Sequence, residues 1–367
     1  MDRRTRDVYE SQTQSWISQR GVDPSSLRRL RELEVRLPRH SLVADLGCGP
    51  GWFATRLRRR GHSVIALDVS AGMLREVRNR DGKLRLVRGD LARLPFAAES
   101  LGGAWAKNSY IHLPMRQLAP ALATLQRALR PGAPIALSGF DLTHTKSEPR
   151  ARGYVERRQR GEGDFAGRLF TFASPELGRD LLVGAGFRVL SIERDERMWL
   201  HAQRIRTLPD FVRPGLRLLV VGLNPSPVAA DTGVAFAGAT NRFWPAALRA
   251  GWVARDRDPH DALRRGVGFT DLAKRVTAGA SAIRASEYRE GAARVERLVR
   301  AFRPRAVVFV GLDGFRRAVD PRAEPGGVRG GFGGRPAYLA PSTSGRNASI
   351  SLSSLVRHFR RARSLAE

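Results

Sequence analysis

The sequence predicts two consecutive α/β domains, and three observations carry that reading. The chain has 367 residues, enough for two domains that each bury a core. In the first half, three short apolar runs, residues 42–45, 63–68 and 86–90, each end on an acid. In the second half a fresh apolar run, Leu218–Gly222, leads into a loop holding Asn224 and Pro225. Short apolar runs closed by Gly, Asp or Pro read as buried parallel strands, and open α/β sheets bind ligands at the carboxyl ends of such strands.

Residues 1–39 are polar and arginine-rich, with Leu27, Leu30, Leu33 and Leu37 at helical spacing, which predicts one or two helices laid over a sheet. The next strand ends on Asp45 and runs into Gly47, Gly49 and Gly51, ahead of a helix over 52–59. Glycines there let the backbone approach a ligand and let the helix start pack closely. Asp68 closes the second strand, about 20 residues beyond the glycines, where a carboxylate can accept both hydroxyls of a ribose. Asp90 and Leu91 follow the third run. Residues 103–106 predict a fourth strand, 115–129 an amphipathic helix stopped by Pro131 and Gly132, and 134–138 a fifth strand. A polar, charged insertion over 143–163 precedes a helix at 174–185 and a last run at 187–192.

Asp45, Gly47, Gly49 and Gly51 complete a D-x-G-x-G-x-G pattern. With Asp68 and Asp90 the set resembles the class I S-adenosylmethionine-dependent methyltransferases. That resemblance implies a Rossmann-like sheet, S-adenosylmethionine as cofactor, Asp68 on the ribose, and Asp90 with Leu91 at the adenine. A nicotinamide dinucleotide would want G-x-G-x-x-G, which Gly47, Gly49 and Trp52 do not supply. The methyl acceptor stays unnamed. Amino-directed DNA methyltransferases carry an Asn or Asp before two prolines after the fourth strand, and Lys107-Asn108-Ser109-Tyr110 lacks the prolines. Cytosine C5 enzymes need a nucleophilic cysteine, whereas Cys48 sits in the cofactor loop, where packing is its expected role. The general resemblance is to small-molecule methyltransferases. His112 is a candidate general base near the methyl group, with a hydrogen-bonded structural histidine as the alternative.

The halves meet near residues 207–211 without a Gly/Ser- or Pro-rich linker, so domains are expected over 1–206 and 207–367. After Asn224, the residues Thr232, Gly233 and Phe236 lead to Asn241-Arg242-Phe243-Trp244. Far downstream, Pro341-Ser342-Thr343-Ser344-Gly345-Arg346-Asn347 precedes the last helix. In this order the motifs resemble the mismatch-specific uracil and thymine DNA glycosylases, within the uracil-DNA glycosylase superfamily, from about Thr207 to the C-terminus. The implied second domain is an α/β fold that flips a base out of double-stranded DNA and breaks its bond to the sugar. By that resemblance Asn224 positions water, Phe236 stacks on the flipped base and Arg346 enters the gap in the stack. Ser342, Ser344, Gly345 and Asn347 would hold flanking phosphates. Phe243 and Trp244 are expected in the core. Asp271 is a candidate second catalytic residue, steadying the cationic sugar or activating water; the alternative is an N-cap for a helix over 272–275. Residues 322–335 form a Gly- and Arg-rich loop expected to touch DNA backbone or to move freely. Basic residues of a closing helix over 351–363 are expected to face solvent.

The formal net charge is +29, which points to a polyanionic partner. A plainer source is an arginine-biased genome, since only four of the 64 basic residues are lysine. Both halves share the excess, about +15 before Thr207 and +14 from there on, so charge does not choose between them. One cysteine excludes an internal disulfide and any cysteine-rich zinc or iron–sulfur site, and no metal site is expected. The N-terminus lacks an apolar signal core and no run approaches ~18 apolar residues. The expectation is a cytoplasmic protein, near the bacterial nucleoid, with no membrane partner. Its expected function is removal of uracil from mispaired DNA, fused to methyl transfer. The competing expectation is a small-molecule methyltransferase whose second domain only binds DNA.

Overall fold

Strands β1 (Leu42–Leu46) and β5 (Pro134–Gly139) are almost wholly buried, so neither has a polar face to offer water, and both sit inside a sheet. The computed structural model describes residues 1–139, 141–142, 152–161, 163–194, 197–347 and 349–367. It divides into two units, Met1–Val183 with Phe187–Ile205, and Gly184–Gly186 with Arg206–Glu367. In the first, β1 pairs in parallel with β2 (Ser63–Asp68) and with β4 (Gly103–Lys107). Beyond them lie β3 (Arg85–Arg88) on one side and β5, β9 (Met198–Arg204) and β8 (Phe187–Arg194) on the other, in the order β3-β2-β1-β4-β5-β9-β8. Strand order reverses between β1 and β4, so the loops leaving these two strands part and open a crevice at the carboxyl end of the sheet. Helices α4 (Trp52–Arg59), α6 (Met115–Ala128) and α7 (Pro175–Ala185) stand close to the expected positions, and α5 (Ala71–Arg80) follows β2 without having been marked.

Three features depart from the expectation. The N-terminal stretch holds three helices, α1 (Arg3–Ser11), α2 (Thr13–Ser18) and α3 (Pro24–Glu34). Asp2 and Asp23 cap the first and third, accepting from the Thr5 and Ser26 amides at 3.0 and 2.8 Å. The insertion contains a strand, β6 (Tyr154–Arg158), paired antiparallel with β7 (Leu169–Ala173); it buries Val155 and turns Glu156, Arg157 and Arg158 outward. Residues 143–151 and 162 of that insertion lie outside the described residues. Strand β9 was not expected, because His201, Gln203 and Arg204 mask its apolar character. It runs antiparallel to both β5 and β8, and that pairing on two sides buries it.

In the second unit β10 (Leu218–Gly222) lies between β11 (Val267–Asp271) and β12 (Ala306–Val310), all three buried and parallel. β14 (Ala337–Ala340) continues the parallel set, and β13 (Gly326–Gly327) closes the edge antiparallel. The loop over 322–335 therefore carries an edge strand, and it also buries Phe332. Four parallel strands release their loops at one end of the sheet, which brings together segments far apart in sequence. Helices α8 (Pro227–Thr232), α9 (Phe243–Arg249), α10 (Pro259–Arg264), α11 (Ala285–Phe302), α12 (Leu312–Ala318) and α13 (Leu352–Ser364) complete the unit. Phe243 and Trp244 are core residues as expected, and Trp252 stacks on Phe359 of α13 with centroids 4.2 Å apart. Arg357, Arg360 and Arg361 are exposed, also as expected. Ser351 caps α13, accepting from the Ser354 amide at 3.2 Å. Ser351→Ala should cost about 1 kcal/mol, read as a lower urea midpoint for this unit. Among the described residues no helix is long and apolar enough to cross a membrane.

Candidate functional site

In the first unit a cavity of about 430 Å³ opens where β1 and β2 end, lined by Asp45, Gly47, Gly49, Asp68 and Leu91 among others. Gly47 has φ 70°, and a Cβ there would collide with Ser109, so only glycine lets the loop pass. Asp68 accepts from the Gly49 and Ser70 amides, each at 2.9 Å. Burial raises its carboxyl to about 6 against these stabilising N–H groups. Asp45 is pushed up to about 7, also by burial. Among the described residues its Oδ2 is buried without a hydrogen-bond partner, and so is Ser109 Oγ of the same cavity. Such atoms call for donors and acceptors from a ligand. This set fits a ligand that combines vicinal hydroxyls with an ammonium group.

Two of the expected residues stand outside the lining. Gly51, with φ 80°, begins α4 and packs on Val77, so its missing side chain serves the contact between α4 and α5. Asp90 pairs its carboxylate with the ammonium of Met1, which itself lines the cavity. Cys48 is buried, and burial raises its thiol well above its ordinary value, consistent with packing.

The opposite wall was not foreseen. Tyr9 of α1, Trp16 of α2, Arg168 and Phe170 line the same cavity, and Trp16 stacks on Trp52 with centroids 5.4 Å apart. The spacing of two aromatics seven residues apart was the available signal. His112 lies in a short 3₁₀ turn, buried, with Nδ1 2.7 Å from the Leu169 carbonyl and Nε2 2.8 Å from the Tyr9 hydroxyl. A carbonyl only accepts, so Nδ1 carries the proton and Nε2 accepts from Tyr9. Burial lowers the His112 pKa to about 4, which keeps the ring neutral near pH 7. With its lone pair engaged, His112 is arranged to orient Tyr9.

Elsewhere in this unit Glu32, Glu193 and His201 come within 4.8 Å of one another. The Arg29 guanidinium pairs with both glutamates, so a cation already stands there.

In the second unit an open cleft of about 1030 Å³ lies at the carboxyl ends of the parallel strands. It gathers Asn224, Phe236, Asp271, Ser342, Ser344, Gly345, Arg346 and Asn347. Asn224 donates through Nδ2 to Thr277 Oγ1 at 2.8 Å and to the Pro225 carbonyl at 3.1 Å. Thr277 Oγ1 in turn donates to the Gly279 carbonyl at 2.7 Å, which fixes it as acceptor for the amide. Asn224 Oδ1 is thereby left to accept from a ligand or water. Phe236 adopts φ 56°, an unusual conformation for a bulky residue, and stacks on Phe243 with centroids 4.2 Å apart.

Asp271 closes β11, buried, with no hydrogen-bond donor on its carboxylate among the described residues. Burial raises its pKa to about 6; Lys274 and Arg294 oppose the shift and Asp210 adds to it. No helix follows at 272–275, so the capping alternative falls. The backbone there is held by a buried network instead. Arg294 donates to the Asp271 carbonyl at 2.8 Å and to Asp210 at 2.7 Å, and Lys274 pairs with Asp210 at 2.9 Å. Gly222 lies beside Asp271, where a Cβ would meet the carboxylate.

The loop over 341–347 is braced from below, with Gly345 and Arg346 exposed at its tip. Arg242 donates to the carbonyls of Ser344 (3.2 Å), Asn347 (2.6 Å) and Ile350. Asn347 Nδ2 donates back to the Ser342 carbonyl at 3.1 Å, and a Cβ on Gly345 would strike Thr240. Arg242 was marked only as part of the motif over 241–244, without a role of its own, and Thr277 was not marked at all.

Among solved structures the chain is similar to an S-adenosylmethionine-dependent methyltransferase from Methanosarcina mazei, at 16% identity over 51% of this chain and 99% of that one, with TM-score 0.43. It is also similar to the Burkholderia thailandensis 1,6-didemethyltoxoflavin-N1-methyltransferase, at 21% identity over 54% and 84% of the two chains, with TM-score 0.42. A third, an S-adenosylmethionine-dependent methyltransferase from Mesorhizobium loti, shares 22% identity over 47% and 96%, with TM-score 0.39. Residues 43–132 match the family model of a methyltransferase domain, and residues 209–362 match that of the uracil DNA glycosylase superfamily. The chain is therefore a fusion of a methyltransferase-like domain with a domain that matches the uracil-DNA glycosylase superfamily by its sequence.

Proposed function

We propose that the protein is a bifunctional enzyme. Residues 1–206 transfer a methyl group from S-adenosylmethionine to a small-molecule acceptor, and residues 207–367 hydrolyse the N-glycosidic bond of uracil flipped from mispaired double-stranded DNA. The observation that carries the second activity is the cleft itself. Three stretches of sequence, around Asn224, Asp271 and Arg346, converge there at the ends of parallel strands. With its amide nitrogen committed to Thr277, Asn224 offers Oδ1 to a proton of the attacking water. Asp271, once ionised, supplies negative charge where the departing base leaves a cationic sugar. Phe236 supplies the stacking surface, and Arg346 at the exposed loop tip fills the vacated position.

For the first activity, the glycine loop with Asp68 and Asp45 supports S-adenosylmethionine as the methyl donor. Asp68 would accept from the ribose hydroxyls and Asp45 would face the ammonium group. Incubating the full chain with labelled S-adenosylmethionine and a uracil-containing duplex tests both activities at once. Absence of both bound label and released uracil would sink the proposal; one without the other would leave a single active half. Asp68→Ala should weaken binding of S-adenosylhomocysteine about tenfold or more by calorimetry, through loss of charged hydrogen bonds. Arg346→Ala should slow excision from perfect duplex more than from single strands, where opening costs less. Equal defects on both substrates would remove Arg346 from base flipping.

A further inference from the structure

A buried cation in the cavity of the first unit, Arg168, has no acid to match it among the described residues. Arg168 is 8% exposed, and among the described residues no carboxylate forms an ion pair with it. Its Nε donates to the Phe165 carbonyl at 3.1 Å, Nη1 to the Tyr9 hydroxyl at 2.9 Å and Nη2 to Gln159 Oε1 at 2.9 Å. Two of the five N–H groups of a guanidinium remain unspent by these bonds. The rings of Tyr9, Phe165 and Phe170 lie 5.4, 5.0 and 5.1 Å from its central carbon, so aromatic faces have replaced water without supplying a full negative charge. The cavity's other side-chain cations differ: Lys107 and Arg197 share Asp23 at 2.6 and 3.6 Å, and Arg20 stands exposed to water. Holding a lone guanidinium out of water is unfavourable until an anion meets it.

The groups around Arg168 form a directed chain. Arg168 donates to Tyr9, Tyr9 donates to His112 Nε2, and His112 donates to the Leu169 carbonyl. All lone pairs that could take a proton from an acceptor are thus in use on His112. Tyr9, His112, Arg168 and Phe170 share one cavity with Asp45 and Asp68.

Resting on the methyltransferase reading above, we infer that the methyl acceptor binds as an oxyanion on a planar ring, a phenolate, enolate or aryl carboxylate, with its charge on Arg168 and its ring against Phe170. The anionic oxygen attacks the methyl carbon while the carbon–sulfur bond breaks and its electron pair stays on sulfur. An oxyanion and a sulfonium become a neutral ether or ester and a neutral thioether, and no proton moves. A cavity poor in water favours such loss of charge. The neutral product then loses its hold on Arg168, which promotes release.

The test uses the full chain saturated with S-adenosylhomocysteine at about pH 8, where 4-nitrophenol is ionised. Benzoate, salicylate and 4-nitrophenolate are compared by calorimetry with benzamide, methyl salicylate and 4-nitroanisole. At least one anion should bind about tenfold more tightly than its uncharged counterpart, as a charge-assisted bond predicts. Arg168→Met should abolish that preference and leave affinity for S-adenosylhomocysteine unchanged, and Arg168→Lys should restore part of it. Binding of no anion, or a preference that survives Arg168→Met, overturns the inference. So does a loss of S-adenosylhomocysteine affinity in folded Arg168→Met, which would assign the guanidinium to the carboxylate of the methyl donor. If that variant fails to fold by circular dichroism, Tyr9→Phe decides: anion affinity should fall severalfold, and an unchanged value overturns the inference. Wild type that binds no S-adenosylhomocysteine would instead remove the methyltransferase reading itself.

Discussion

Asn224→Ala should lower single-turnover release of uracil from duplex DNA about 10²–10³-fold while duplex affinity stays near the wild-type value. The separation follows from how the side chain is held. Its amide nitrogen is spent on Thr277 and Pro225, so what faces the cleft is one acceptor oxygen, suited to a water proton and unsuited to a phosphate. Groups suited to phosphates, the Ser342 and Ser344 hydroxyls with the amides of the same loop, sit on a different segment. Rapid-quench cleavage and equilibrium binding on one substrate measure the two quantities separately. A parallel fall in both would place Asn224 on the DNA backbone and take it away from water.

Asp271→Asn should act on rate and stability in opposite directions. If the carboxylate steadies the cationic sugar, losing its charge should raise the barrier by about 2–4 kcal/mol. The folded state holds this carboxyl at about 6 against an ordinary 3.8. Below the ordinary value the group is protonated in both states and burial of the neutral acid costs little. As pH rises from about 4 to 6 the unfolded chain ionises first, and the folded state loses up to about 3 kcal/mol relative to it. Asparagine removes this cost, so denaturant melts should show the variant more stable than wild type at pH 7 and equal to it near pH 4. The wild-type rate should fall as pH drops through about 6, and the variant should lack that limb. A variant that gains stability at pH 7 yet keeps its rate would make Asp271 a buried acid without a part in cleavage.

Much of the architecture could be read from local pattern. β10, the glycine loop from Gly47 to Gly51 and the acid at the end of β2 each announce themselves within about ten residues, because strand burial and tight turns depend on neighbours in sequence. The same holds for Phe243 and Trp244, whose place in the core follows from helical spacing. What could not be read depends on partners far along the chain. β9 looks too polar for an inner strand until β5 and β8 cover its edges. His112 reads as a base until Tyr9 and Leu169 take both ring nitrogens. Asp271 reads equally well as a helix cap until the backbone beyond it is held by Arg294, 23 residues downstream, in place of a helix. Hydrogen bonds and charge pairing act over ångströms in space, and no local pattern encodes which distant residue will arrive. Patterns of burial therefore placed the strands and loops, while long-range partners settled the protonation, orientation and reach of the side chains within them.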